Sequence, residues 1–115
     1  MYWLWKQNKK RYLCNMILYN VTVNVDQSVV EDWIQWMKTI HIPDVLSTGL
    51  FLENRLMRVL TVDEDEGNTF SVQYFLESIE NYEVYKELFA PRLQKEHIDR
   101  YGSLCVAFRT ILETV

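Results

Sequence analysis

Residues 17–25 read Ile17-Leu18-Tyr19-Asn20-Val21-Thr22-Val23-Asn24-Val25, and residues 26–43 continue as DQSVVEDWIQWMKTIHIP. In the first stretch Ile17, Tyr19, Val21, Val23 and Val25 alternate with Leu18, Asn20, Thr22 and Asn24. A period of two sends alternate side chains to opposite faces, so this is a strand with unlike faces. The period then changes. At helical spacing Val29, Val30, Trp33, Ile34, Trp36, Met37 and Ile40 fall in one arc, while Glu31, Asp32, Gln35, Lys38 and Thr39 fill the other. That partition belongs to an amphipathic helix. Asp26 or Ser28 is placed to cap it by accepting from a first-turn N–H. Pro43 ends the helix or opens a short new turn at its N1 position, and Gly49 suits a C-cap in the left-handed region.

Working outward, a second extended stretch follows Gly49, firmest at 56–62, and a third covers Thr69 to Glu77. Between them lies Asp63-Glu64-Asp65-Glu66-Gly67-Asn68, which reads as the acidic turn of a hairpin. Ser78 is a cap for a second helix carrying Tyr82, Tyr85, Leu88, Phe89 and Leu93 on one side. Pro91 lacks an N–H and crowds the preceding turn, so a kink or restart is expected there. Gly102 stops the helix, and 104–112 alternates as a last strand. The order βαββαβ predicts an α+β, ferredoxin-like sandwich: a four-stranded antiparallel sheet with two helices on one face.

The other face of that sheet bears on assembly. With Tyr19, Val21, Val23, Phe70, Val72, Tyr74, Val106 and Phe108 toward the helices, the open face carries Asn20, Thr22, Gln73, Phe75, Arg109 and Ile111. Leu18, Asn24, Ser71 and Ala107 complete it. It is too apolar for bare water in places and too polar for a dry core. Two such faces packed about 10 Å apart would make a two-chain, eight-stranded barrel, with C2 symmetry the default. The alternative is a monomer whose scattered surface apolar residues are ordinary.

Composition limits the function classes. The chain has 115 residues, 49% of them apolar, and a net charge of -4; it suits one folded domain and lacks the apolar run of a membrane span. Residues 1–15 hold four of the twelve bases (Lys6, Lys9, Lys10, Arg11) and none of the sixteen acids. Charge therefore changes sign near Met16. The aromatic cluster Tyr2-Trp3-Leu4-Trp5 precedes the bases, the reverse of a secretory signal. Residues 1–15 are thus either a basic extension able to touch an anionic surface or a stretch upstream of a true start at Met16. The acidic remainder argues against nucleic acid, as do Tyr19 and Tyr74, which would face the helices rather than stack bases. Cys14 and Cys105 make no disulfide framework or metal-ligand spacing, which suits a reducing cytoplasm.

The run MILYNVTVNVDQSVVEDWIQWMKTIHIPDVLSTGLF, with VQYFLESIENYEVYKELFAPRLQKEH and the closing VAFRTILE, resembles the bacterial domain-of-unknown-function family 4286. The likeness spans Met16 to Val115, and its W-x-x-W-M, H-I-P and F-A-P segments carry it. That family is uncharacterised and implies no chemistry. More distantly, the strand and E-x-W-x-x-W-M-x-x-x-H-x-P helix resemble the dimeric α+β barrel superfamily, which includes monooxygenases and isomerases with a ligand pocket between helices and sheet. Fold alone does not fix function.

Candidate site residues are few. His41 sits on the apolar arc of the first helix, where an imidazole would face the sheet as a general base; the competing reading is a histidine bonded to a free carbonyl at a helix C-terminus. His97 shares a stripe with Leu93 and Tyr101. Trp33, Met37, Tyr82, Tyr85 and Phe89 complete the pocket candidates, although aromatic stripes at helical spacing are mostly core. The acidic turn lacks the order of a calcium loop, and no residues suggest a metal or cofactor. Together these features predict a homodimeric, non-catalytic binding or interaction module with a small apolar ligand between helices and sheet. The alternative is a cofactor-independent monooxygenase- or isomerase-like enzyme of the dimeric α+β barrel type, with His41 as its polar participant.

Overall fold

The structure, a computed structural model, describes residues 16–61 and 68–115. The basic extension 1–15 and most of the acidic hairpin turn lie outside the described residues. Among those described, no helix is long and apolar enough to cross a membrane.

The predicted order holds. Strand β1 (Ile17–Val25) leads through a 3-10 turn to a continuous helical stretch of α1 (Val30–Trp36), a π-helical turn (Met37–His41) and α2 (Ile42–Leu46). Strands β2 (Phe51–Arg58) and β3 (Asn68–Leu76) follow, then α3 (Ile79–Leu88), α4 (Ala90–Tyr101) and β4 (Cys105–Glu113). The sheet is antiparallel in the order β2-β3-β1-β4. β1 is central, and its alternation is realised: Ile17, Tyr19, Val23 and Val25 are buried beneath the helices, a setting that suits β-branched and aromatic side chains. Val72, Tyr74 and Leu76 of β3 join them, with Trp33 and Leu93 closing the core from the helix side.

The local signals act as their chemistry dictates. The Asp26 carboxylate accepts from Ser28 N–H at 3.0 Å, and Ser78 Oγ accepts from Asn81 N–H at 3.2 Å, capping α3. Gly49 and Gly102 take φ of +78° and +55°, where a side chain would be strained. The helix breaks at Phe89 and restarts with Pro91 in the first turn of α4, where its missing N–H costs nothing.

Three expectations need correction. β2 ends at Arg58, short of 56–62, after an irregularity between Phe51 and Glu53. Ile40 and Leu88, expected on buried arcs, are 49% and 71% exposed; Ile40 leaves the buried face because of the π turn described below, and Leu88 lies in the last turn of α3 next to the break. The third concerns β4, whose phase is inverted. Pairing with β1 sets Arg109 opposite Val21 and Ile111 opposite Tyr19, on the helix side, and puts Val106, Phe108 and Leu112 opposite Asn24, Thr22 and Leu18 on the open face. Directly paired residues share a face, so Arg109 and Ile111 leave the open face where Asn20, Thr22, Gln73 and Phe75 remain.

Candidate functional site

The π turn builds one wall of a cleft between helices and sheet. Pro43 has no N–H to give, and in a regular α-helix its ring would collide with the carbonyl of Thr39. The wider turn over 37–41 accommodates it, with Ile42 N–H donating to the Met37 carbonyl five residues back. One residue per turn is thereby added, so the neighbour stacked beneath Trp36 is His41, at 4.9 Å between ring centroids and 26° between planes. At ordinary spacing that place belongs to Ile40. The turn turns Ile40 out and His41 in.

α4 supplies the second imidazole. His97 lies one turn beyond Leu93 and one before Tyr101, the stripe that α4 buries, and its Nε2 accepts from the Trp33 indole N–H at 2.9 Å. A neutral His97 therefore carries its proton on Nδ1. A second clamp joins the same helices: Tyr101 donates to Asp32 at 2.8 Å, and Arg100 pairs with Asp32 at 3.3 Å while lying over the Trp36 ring. The two imidazoles meet, with His41 and His97 centroids 6.0 Å apart and near edge-on.

The third contribution comes from the sheet. Arg109 of β4 reaches under the helices and donates from Nε to the Tyr19 hydroxyl at 3.1 Å. Tyr19 itself rests among Tyr74, Tyr82 and Tyr85, at 5.8, 5.4 and 5.5 Å between ring centroids. The helices leave the helix-side residues Ala107 and Arg109 exposed, so the cleft has its mouth along β4.

His41, His97, Gln94 and Arg109 form its polar part, and Met37, Leu93 and Tyr85 are among its apolar walls. Of the expected pocket residues, Met37, His41, Tyr85 and His97 line it. Trp33 backs it through the bond to His97, whereas Tyr82 and Phe89 pack against the core outside it. Sequence reasoning missed Arg109, Gln94 and Tyr19. The inverted phase of β4 hid Arg109, and the polar spacing of Gln94 within α4 gave no sign of a lining role.

The space within the cleft is about 40 Å³, room for a few waters. Its electrostatics are one-sided. Burial, with the neighbouring His97 and the Arg109 guanidinium adding to it, drops His41 from 6.5 to about 4; burial and Arg109 do the same to His97. Both imidazoles are neutral at pH 7. His41 Nδ1 is buried without a hydrogen-bond partner, contrary to the backbone-carbonyl reading of this residue. Burial raises the Tyr85 and Tyr74 phenols well above 10, which leaves them as neutral donors. Among the described residues, no three His, Cys, Asp or Glu side chains gather as a metal-holding group.

Over residues 16–115 the sequence matches the family described as Domain of unknown function (DUF4286). The chain belongs to the DUF4286 family. Among curated proteins, none matches this DUF4286 chain. Solved structures do. A conserved protein of unknown function from Bacteroides thetaiotaomicron, described as a possible oxidoreductase, superposes with a TM-score of 0.65 at 15% identity, covering 88% of this chain and 99% of its own. A dimeric ferredoxin-like protein from an uncultured marine organism gives a TM-score of 0.63 at 12% identity, covering 88% of this chain and 95% of its own. At such identities the likeness is one of fold, and the DUF4286 chain has the ferredoxin-like α+β architecture that its element order predicts.

Proposed function

We propose that residues 16–115 form a homodimeric binding module that holds a small molecule in the cleft between helices and sheet. The observation that carries this reading is the convergence of His41, His97, Gln94 and Arg109 on one space open at β4, with a buried, unpartnered nitrogen on His41. A buried polar atom without a partner is costly, and such atoms gather at sites kept for something other than stability. The two imidazoles suit hydrogen bonding better than proton abstraction. A base that titrates near 4 holds a proton poorly at neutral pH, far from the matched pKa that general-base catalysis prefers.

The dimer reading rests on the open sheet face. Phe108 and Val106 are 62% and 66% exposed there, beside Leu18, Phe75 and Leu112, around a polar centre where Ser71 donates to Asn20 at 2.5 Å and Gln73 to Ser71 at 3.1 Å. Exposed apolar groups at both ends of one sheet face suit an interaction surface. The marine ferredoxin-like neighbour is described as dimeric, which favours a second copy as the occupant. A reducing cytoplasm fits Cys105, a free, half-buried thiol that burial chiefly raises to about 11.

The enzyme reading keeps one specific support, the meeting of His41, His97 and Arg109 at one mouth, alongside the Bacteroides neighbour described as a possible oxidoreductase. Native mass spectrometry of the full chain from its own cells tests both parts of the proposal. The expected spectrum is a dimer retaining a small-molecule adduct; a bare monomer at micromolar concentration overturns the module. The intact mass from the same experiment reports whether residues 1–15 are present.

A further inference from the structure

The domain spanning 16–115 carries all sixteen acids of the chain, yet among the described residues no carboxylate lines the cleft. Its titratable lining comes from every element around it: Tyr19 from β1, Tyr74 from β3, Tyr85 from α3, His41 from the π turn, His97 from α4 and Arg109 from β4. All are neutral or cationic. Arg109 forms none of the ion pairs found among the described residues. Its bond to Tyr19 uses Nε, leaving the two terminal nitrogens of the guanidinium for another acceptor. The field of that guanidinium reaches both histidines, lowering each toward the neutral form.

Resting on the binding reading above, we infer that the ligand is an organic monocarboxylate, its carboxylate received by Arg109 and its body lying along the mouth at β4. Size, charge and geometry agree. About 40 Å³ admits a head group of a few atoms and leaves a ring outside at the mouth, since a cavity of about 150 Å³ is what takes benzene. A planar carboxylate matches the fork of a guanidinium. One permanent cation among neutral donors balances one negative charge, which disfavours a doubly charged phosphate. The apolar strip of Ala107 and Val21 beside Arg109 gives the body of the ligand its contact.

The test titrates the full chain with benzoate, benzamide and inorganic phosphate while following the imidazole resonances of His41 and His97 by NMR. Benzoate is expected to shift both rings and to bind at least ten-fold more tightly than benzamide. Arg109→Gln should bring benzoate down to the benzamide level, with dispersed amide resonances and an unchanged urea midpoint certifying that the variant is folded; Arg109→Lys should fall between. Equal binding of benzoate and benzamide, unchanged benzoate binding in Arg109→Gln, or tighter binding of phosphate overturns the carboxylate and leaves the cleft. Silence of both aromatic probes overturns the cleft reading and the inference with it.

Discussion

Lowering the pH from 7.5 to 5 is expected to destabilise this fold through two imidazoles, by an amount that the structure sets. His41 and His97 each titrate at 6.5 when unfolded and at about 4 in the fold. Between those values the unfolded chain binds protons that the folded chain refuses, so stability falls as pH falls. The contribution is fully present above 6.5 and is lost progressively on the way down to 4. For one ring the linkage relation gives about 2 kcal/mol between pH 7.5 and 5, hence about 4 kcal/mol for two as an upper bound. Both rings are only part-buried and keep an edge at the mouth of the cleft, and solvent screening reduces the sum to about 2 kcal/mol. That is a large share of the roughly 5–15 kcal/mol that holds a domain together. Urea unfolding at pH 7.5, 6.5, 5.5 and 5.0 reads the loss directly, above the range in which most carboxylates titrate. The double variant His41→Phe/His97→Gln should flatten the profile, since a phenyl ring keeps the stack on Trp36 and an amide keeps an acceptor for Trp33. A wild-type profile flat to about 0.5 kcal/mol, or a double variant with the wild-type slope, would refute the assignment of neutral buried histidines.

Three further outcomes are expected. Trp33→Phe leaves His97 Nε2 without its donor and should cost about 1–3 kcal/mol in urea unfolding, while freeing the His97 proton to leave Nδ1, which imidazole nitrogen shifts detect. Ser78→Ala removes the cap of α3 and should cost about 1 kcal/mol; a change indistinguishable from zero would mean that Asn81 N–H finds an equal partner. Phe108→Asp puts a charge on the open sheet face and should convert the proposed dimer to monomer in sedimentation with little change in monomer stability, whereas a dimer that survives would move the interface elsewhere.

What could be read from the residues alone follows a physical line. β1 is central, so each of its side chains meets either helices or the open face, and its alternation is strict. The caps at Asp26 and Ser78 and the restart at Pro91 are local chemistry, legible without tertiary contacts. β4 was not legible in the same way. Both of its faces carry apolar residues, Val106, Phe108 and Leu112 on one and Ala107 and Ile111 on the other, and an edge strand takes its phase from its pairing rather than from its own pattern. The error moved Arg109 out of the cleft and onto the open face, where the pairing with β1 does not leave it. The meeting of His41 with His97 was equally hidden, because helical spacing places His41 on the correct side without showing the i,i+5 stack that brings it beneath Trp36.

The order of the sheet also has a consequence for how the chain reaches its fold. β1 is the first described strand to be synthesised and the last to be fully paired, because its two neighbours are β3 and β4. The ends are closed by reciprocal bonds between Met16 and Thr114, the amide of each donating to an oxygen of the other at 2.8 and 3.0 Å. Contacts so distant along the chain pay their loop-closure entropy before they return any stabilisation. During translation β1 must therefore wait with one edge open while some eighty residues emerge behind it. Arg109 arrives with the strand that ends this wait, so the cleft acquires its guanidinium at the final step of assembly.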